Sequence, residues 1–533
     1  MVANGHNLTE QRRQRMQIAI DARRSSAERN RLGQFATPQP LALEMAQYMA
    51  KLRGHGVGKI HFADPAIGSG SFFSAALAAF GRERLARAVG VEVDPTFCET
   101  ARELWAGDGL EIVQGDFTRI IDSASRPPSP NLILANPPYV RHHHLTRDDK
   151  LRLQALAFKA AGIEVNGLSG LYVYFLLLAT AWMEPAGYAA WLIPSEFMDV
   201  NYGAALKNYL SHAVTLHRIH RFDPLEVQFG DAFVSSVVLA FRKTPPPVGH
   251  RVECTFGGTL LQPRACELIA VDQLREARKW TMYPSHADND RHTLSDGSGP
   301  TLADFFRIQR GIATGSNKFF VLSRADAEHR KFPKQFLRPI LPSPRHLKVT
   351  VIDRDVDGYP VIDQPLCVID CDLPEHVVKT RHRALWDYLQ TSRTLGIMEG
   401  YLIGKRRPWY KQEQRAPAPF LCTYMGRGSK EKQPFRFIHN RSDAIGTNLY
   451  LMLYPRAGLA RMLRRDPNRS TQLFALLGRI TGHELRGEGR VYGGGLNKIE
   501  PSELGRISAA SIVQQWPELA NSSQPLEMPS LFG

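Results

Sequence analysis

The stretch Ile133 to Leu145, ILANPPYVRHHHL, places groups that could act on an amine at the end of an apolar run. Proline lacks an N–H and fixes φ, so Pro137 and Pro138 cannot continue a strand and leave a loop rich in carbonyls. The side-chain oxygen of Asn136 and the carbonyl of Pro137 can accept both hydrogens of an exocyclic amine. That arrangement draws the nitrogen lone pair out of conjugation and aims it at an electrophile. Tyr139 offers a ring face for a base. Asn136, Pro137, Pro138 and Tyr139 are therefore the candidate catalytic residues. The plain alternative is a rigid turn with a surface tyrosine.

Three earlier apolar runs argue against that alternative, because each ends in an acid. FADPAIGSGSFF ends its strand at Asp64 and turns through Ala66, Ile67, Gly68, Ser69 and Gly70 into a helix. Glycines let such a turn approach a ligand closely. GVEVD brings Glu92 about two dozen residues later, where an acid can accept hydrogen bonds from ribose hydroxyls. Asp94 fits the N-cap of the next helix, with Pro95 at its first position. GDF brings Asp116, which can accept from an adenine amino group, with Phe117 lying against the ring. Ligands of open α/β sheets sit at strand carboxyl ends, so this recurrence outweighs any one motif.

His142, His143 and His144 do not share that task. Three adjacent side chains cannot face one metal from a regular strand or helix, and no partner ligand is evident. No metal site is expected. The histidines read as a loop beside the catalytic corner.

Several elements must position these residues. KIHFADP, AVGVEVDP, EIVQGDF, NLILANPP, GYAAWLIP and VSSVVLAF are short apolar runs separated by helical patterns. They predict a mostly parallel sheet with helices on both faces, an α/β Rossmann-like fold. Residues 8–30 predict a charged, solvated helix. Leu171 to Met183 is the longest apolar run; it is too short to span a bilayer and predicts a buried helix. RKTPPPVGH, residues 242–250, is the predicted linker. The expected division is a helical arm over 1–30, a catalytic domain over 31–245, a mixed α/β recognition domain over 246–515 and a tail over 516–533.

Charge separates the two halves of the 533-residue chain. Residues 1–245 hold 26 Lys and Arg against 23 acids, while residues 246–533 hold 41 against 29. A polyanionic partner for the second half follows, nucleic acid first among them. The six cysteines have no CxxC spacing, so neither a zinc ribbon nor a disulfide framework is expected. No secretory signal is apparent at the N-terminus, and the expected address is the cytoplasm of a bacterium or archaeon.

RLGQFATP (31–38), DPAIGSGSF (64–72), GVEVDP (90–95), GDF (115–117) and NPPY (136–139) occur in this order. Together they resemble the gamma-class, TaqI-like DNA adenine-N6 methyltransferases of restriction-modification systems. The resemblance covers residues 31–245 closely. It continues more loosely through RGIATGSNKFF, NLYLML and VYGGGLNKIEPSEL, which resemble that class's C-terminal specificity domain. It implies S-adenosylmethionine as cofactor, with Phe35, Thr37 and Pro38 at the methionine end. Asp64, Ala66 and Gly68 would form the first loop, Glu92 would bind the ribose, and Asp116 and Phe117 would hold the cofactor adenine. Asn136, Pro137 and Tyr139 would hold the target adenine. An aromatic stacks on its other face; EVQFGDAFVSSVV puts Phe229 there, with Phe233 competing.

The resemblance further implies base flipping from duplex DNA, monomeric action and a separate cognate endonuclease acting on the same site. Residues 401–440 hold nine Lys and Arg against two acids, interleaved with Trp409, Tyr410, Phe420, Tyr424, Phe435 and Phe437. Some of those aromatics must be core. Arg310, Lys405, Arg406, Arg407, Lys411, Arg427, Lys430 and Lys432 are the candidate DNA-binding residues. Two other enzymatic readings use the same corner: methylation of an exocyclic amine in RNA or of protein glutamine, and a bifunctional restriction-modification enzyme. A degenerate methyltransferase kept only for DNA binding is the non-enzymatic alternative.

Overall fold

Apolar runs flanked by turn residues become the strands of one sheet. The computed structural model describes residues 2–54, 58–224, 226, 235–285, 299–428, 433–492 and 495–522. In chain order the first elements are α1 (Val2–Ala22), α2 (Ser26–Leu32), α3 (Gln39–Arg53), β1 (Ile60–Asp64), α4 (Ser71–Phe80), β2 (Leu85–Glu92), α5 (Pro95–Trp105) and β3 (Leu110–Gln114). Then come α6 (Phe117–Ile120), β4 (Leu132–Ala135), α7 (Arg147–Ala161), α8 (Leu171–Trp182), β5 (Tyr188–Pro194) and α9 (Ala204–His212). β6 (Thr215–Arg221), β7 (Ser236–Arg242), β8 (Arg251–Gly258) and β9 (Pro263–Ala270) complete the sheet.

The strand order is β3-β2-β1-β4-β5-β7-β6-β8-β9. β3 through β5 pair in parallel, and β7 runs antiparallel between β5 and β6. The order reverses between β1 and β4. In an open α/β sheet that switch point, at the carboxyl ends, is where ligands bind. Both faces are covered. Ala63, Val91, Ile133 and Trp191 pack on one side with α8, while Phe62, Leu134 and Leu192 pack on the other with α3 and α4. Burial on both faces explains why these strands read as continuous apolar runs. The run from Leu171 is α8, nearly all of it buried. No described helix is long and apolar enough to cross a membrane.

The expected boundary at 245/246 is displaced. The described residues up to Ser285 stay in the first compact unit, because the TPPP turn leads into β8, which pairs in parallel with β6, rather than into a new domain. β6, TLHRIHR, and β8 escaped the sequence reading because their polar residues interrupt the apolar pattern. The expected helix over 8–30 is two helices. The second unit holds a five-stranded sheet in the order Phe306–Arg310, Tyr450–Pro455, Phe420–Thr423, Phe437–Asn440 and Val351–Ile352. Helices and loops bury apolar clusters against it.

Candidate active site

The turn after β1 is held shut by its own acids. Asp64 is 1% exposed, and its Oδ1 accepts the Ala66 N–H at 3.0 Å. Burial, with the Glu92 charge adding to it, pushes the Asp64 carboxyl well above the usual carboxylate range. Glu92, at the end of β2, accepts the Gly68 N–H at 2.9 Å on one oxygen and the Asp94 N–H at 2.9 Å on the other. Burial raises its pKa as well. A carboxylate oxygen has two lone pairs, so each retains acceptor capacity. Gly68 adopts φ +55°, and Gly70 adopts φ +91°. A Cβ on Gly70 would lie 2.3 Å from Trp105 Nε1, whose N–H donates to the Ser69 carbonyl at 2.9 Å. Asp94 caps α5 as its spacing predicts, accepting the Thr96 N–H at 2.9 Å.

The N-terminal arm is part of this construction rather than a solvated helix. Arg13 and Glu10, on α1, are 3% and 5% exposed and paired at 2.7 Å. Arg13 also donates to Ser69 Oγ at 3.0 Å, and Ser69 Oγ donates to Gln17 Oε1 at 2.8 Å. Arg12–Glu103 and Arg24–Asp94 ion pairs tie α1 and the turn after it to α5. An Arg and a Glu one turn apart are common on surface helices, so nothing local distinguished this buried pair. Removing one partner leaves the other charged and buried. Arg13→Ala is expected to cost about 3 kcal/mol or more, read by urea unfolding. Burial alone would raise the Glu10 pKa, but the bonds from Arg13 override it and the net shift is downward. The pair's contribution is therefore full above the ordinary value of 4.5 and is lost as pH falls through the lowered one.

The corner after β4 is gripped by the RLGQFATP segment. Asn136 Nδ2 donates to the Phe35 carbonyl at 2.9 Å and to Thr37 Oγ1 at 3.1 Å. A carbonyl can only accept, so this bond fixes which end of the amide is nitrogen. Asn136 Oδ1 is left buried and without a hydrogen-bond partner in the described structure. Ser71 Oγ at the start of α4 holds the Thr37 carbonyl at 3.1 Å, and Pro38 is the N-cap of α3. Tyr139 donates its N–H to the Gly33 carbonyl at 3.0 Å and its hydroxyl to the Leu192 carbonyl at 3.1 Å. Its ring is 7% exposed and leans on Phe35, with centroids 5.5 Å apart. The expected open stacking face is thus largely covered by Phe35. Gly33, inside RLGQFATP, adopts φ +65°, and a Cβ there would meet Tyr139 N at 2.4 Å.

The remaining expectations divide. Asp116 caps α6, accepting the Thr118 N–H at 2.9 Å, with Arg119 and Arg152 within 4.0 Å. The Phe117 ring is 2% exposed and packs on Phe175 and Trp182, 5.2 and 5.9 Å away. It is a core ring, packed in the same cluster as α8 rather than presented as the open face the sequence suggests. Phe229 and Phe233 lie outside the described residues, as do Lys430 and Lys432. His142 to His144 form one exposed 3₁₀ turn, and among the described residues no cluster of three or more His, Cys, Asp or Glu could hold a metal.

In the second unit, Trp409, Tyr410, Phe420, Tyr424, Phe435 and Phe437 are all buried, so the aromatic interleaving is core throughout. Arg406 donates to the Ala313 and Thr314 carbonyls at 2.5 and 2.8 Å and fastens a loop. Arg310 lies exposed over Tyr424 at 3.9 Å, and Lys405, Arg407 and Arg427 are also exposed, whereas Lys411 is half-buried.

Two family models match this chain. The Eco57I restriction-modification methylase matches residues 131–228, which include the corner, and the C-terminal domain of the Type II methyltransferase M.Eco57I matches residues 278–527. Residues 131–228 and 278–527 are thus similar to the two parts of restriction-modification methylases. The chain is 28% identical over 497 residues to the Type II methyltransferase M.XamI of Xanthomonas campestris pv. amaranthicola, covering 90% of this chain and 86% of that protein. It is 25% identical over 507 residues to M.AccI of Acinetobacter calcoaceticus, with the same shares covered. Its fold resembles that of the Type IIL restriction-modification enzyme MmeI solved in complex with DNA, with a TM-score of 0.51 and 13% identity, over 88% of this chain and 64% of that one. The first unit has the Rossmann-like α/β fold expected from the sequence, with the strand order of its parallel half.

Proposed function

We propose that the protein transfers a methyl group from S-adenosylmethionine to the N6 amine of an adenine flipped out of duplex DNA, as the modification partner of a separate endonuclease. One observation carries the reading: the bare Asn136 Oδ1. A buried acceptor left without a partner costs about 1–3 kcal/mol, and such an atom persists where a ligand completes it. An exocyclic amine is the donor that fits an acceptor placed beside the Pro137 carbonyl. Phe35 and Thr37 hold the amide so that the oxygen, not the nitrogen, meets the amine.

The residues at the strand ends fit the cofactor. Glu92 would take the ribose hydroxyls on its remaining lone pairs, and the Asp64–Gly70 turn, with Phe35, Thr37 and Pro38 beside it, would hold the methionine end. The cofactor adenine would meet Asp116 and the backbone at Phe117 rather than its ring. S-adenosylmethionine supplies an electrophilic methyl group on a good leaving group. What the protein must add is alignment, which by itself can lower a barrier by several kcal/mol. Tyr139 would meet the flipped base, which requires its contact with Phe35 to open.

DNA is favoured over RNA or a protein glutamine by the relatives, which are Type II methyltransferases, and by the MmeI complex with DNA. The basic second half agrees with it. Duplex DNA incubated with the protein and labelled S-adenosylmethionine should gain N6-methyladenine. Label in RNA or protein only, or in cytosine, would overturn the reading. The affinity for duplex should fall steeply with salt as phosphate contacts release counterions; a flat response would remove the argument from charge.

A further inference from the structure

One exposed segment of the second unit carries apolar side chains that its fold does not use. Between the helix Arg383–Thr394 and the cis Arg407–Pro408 bond the chain forms a 3₁₀ turn, Ile397–Glu399, and a short helix, Tyr401–Gly404. Its inner row is anchored. Ile403 is 1% exposed and so close to Gly315 that a Cβ there would lie 2.9 Å from Ile403 Cγ1. Arg406 ties the following residues to the Ala313 and Thr314 carbonyls. The outer row faces water: Leu395 is 63% exposed, Met398 36%, Tyr401 74% and Leu402 43%.

Single exposed leucines are ordinary, but four apolar side chains within eight residues on a rigid anchor mark a surface that meets something. The charge around it selects the partner. Residues 376–411 hold eight Lys and Arg against two acids. Lys405 lies 4.2 Å from the Tyr401 ring and donates to its hydroxyl at 2.5 Å, so ring and ammonium are held as one unit. Arg393, Lys405 and Arg407 are exposed on either side of the apolar row. An apolar row flanked by cations suits a surface of apolar steps lined by anions, which is a duplex groove. Leucine and methionine wedges between base steps, with cations on the adjoining phosphates, are a known economy of groove binding.

We propose that residues 395–405 form a wedge that enters a groove of duplex DNA, with Met398 and Leu402 against the base steps and Lys405 and Arg407 on the phosphates. The proposal rests on the reading of the protein as a DNA-modifying enzyme, and it is tested on binding rather than on transfer.

The test uses the full chain and a fluorescein-labelled duplex selected from random sequence for binding to it. Met398→Ser with Leu402→Ser removes the wedge and keeps every cation. It should raise Kd about tenfold or more, leave the slope of log Kd against log salt unchanged, and abolish the fluorescence rise of 2-aminopurine placed at the contacted step. Lys405→Gln with Arg407→Gln should instead make the slope shallower by about two. All four side chains are on the surface, so thermal unfolding should match the parent. Duplex affinity within twofold of the parent for the double serine variant would overturn the proposal. So would loss of self-association in sedimentation with DNA affinity intact, because the row would then serve a second copy. A parent that binds duplex through this row yet leaves adenine unmodified would sink the N6 reading alone.

Discussion

Asn136→Ala should abolish methyl transfer while cofactor binding survives. The alanine removes the bare Oδ1, the group that would hold and orient the amine, and it also removes the Nδ2 bonds to Phe35 and Thr37. Loss of one preorganised hydrogen-bonding group in a catalytic site costs about a hundred- to a thousandfold in kcat, and here positioning is lost with it, so about a thousandfold or more is expected. Cofactor binding, followed by calorimetry, should survive but weaken, since Glu92 and the Asp64–Gly70 turn are untouched while Phe35 and Thr37 lose their bonds to Asn136. Asn136→Asp sharpens the point. It keeps an acceptor but turns a carboxylate oxygen toward the Phe35 carbonyl, so the side chain should swing away and most of the rate should still be lost. Transfer at the parental rate by Asn136→Ala would remove the catalytic corner from this account.

Gly33→Ala should be nearly as damaging, although Gly33 carries no functional group. Its φ is +65°, which costs an alanine about 1–2 kcal/mol. More decisively, the new Cβ would lie 2.4 Å from Tyr139 N and 2.6 Å from Val140 N, backbone atoms that no rotamer change can move. The corner must shift, and a displacement near 1 Å costs about a hundredfold in rate. The expected result is a kcat about a hundredfold lower with a modest fall in melting temperature. Gly68→Ala is the control. Its φ is +55°, yet nothing lies within 4 Å of its Cβ, so it should cost strain and cofactor KM while sparing the corner. Parental kcat in Gly33→Ala would mean that the corner is not held from that side.

Legibility followed the range of the interactions. The strands ending at Asp64, Glu92 and before Asn136 were readable because burial on both faces makes each an unbroken apolar run closed by a turn residue. The Asp94 cap was readable because a cap is satisfied within three residues. β6 and β8 were not, since their polar residues, such as His220 and Thr255, bond each other across strands at 2.9 Å. In the second half, basic and aromatic residues alternate in the sequence, but alternation does not say which row faces in. Trp409 and Tyr410 went to the core and Arg406 to carbonyls, and Tyr401 stayed out.

The sequence by itself determined the order of the strand-ending motifs, the parallel sheet they demand and the rigid, carbonyl-rich corner at Asn136-Pro137-Pro138-Tyr139. Those properties are local: they depend on side-chain type, on proline's missing N–H and on periods of a few residues. Only the tertiary structure decided that Phe35 and Thr37, 101 and 99 residues from Asn136, take its amide nitrogen and leave its buried oxygen without a partner. It also decided that Gly33 leaves room for Tyr139, that Arg13 braces the glycine turn and that Phe117 is core. Each of those results from two distant segments competing for the same space or the same hydrogen bond, and that competition is resolved only when the chain is packed.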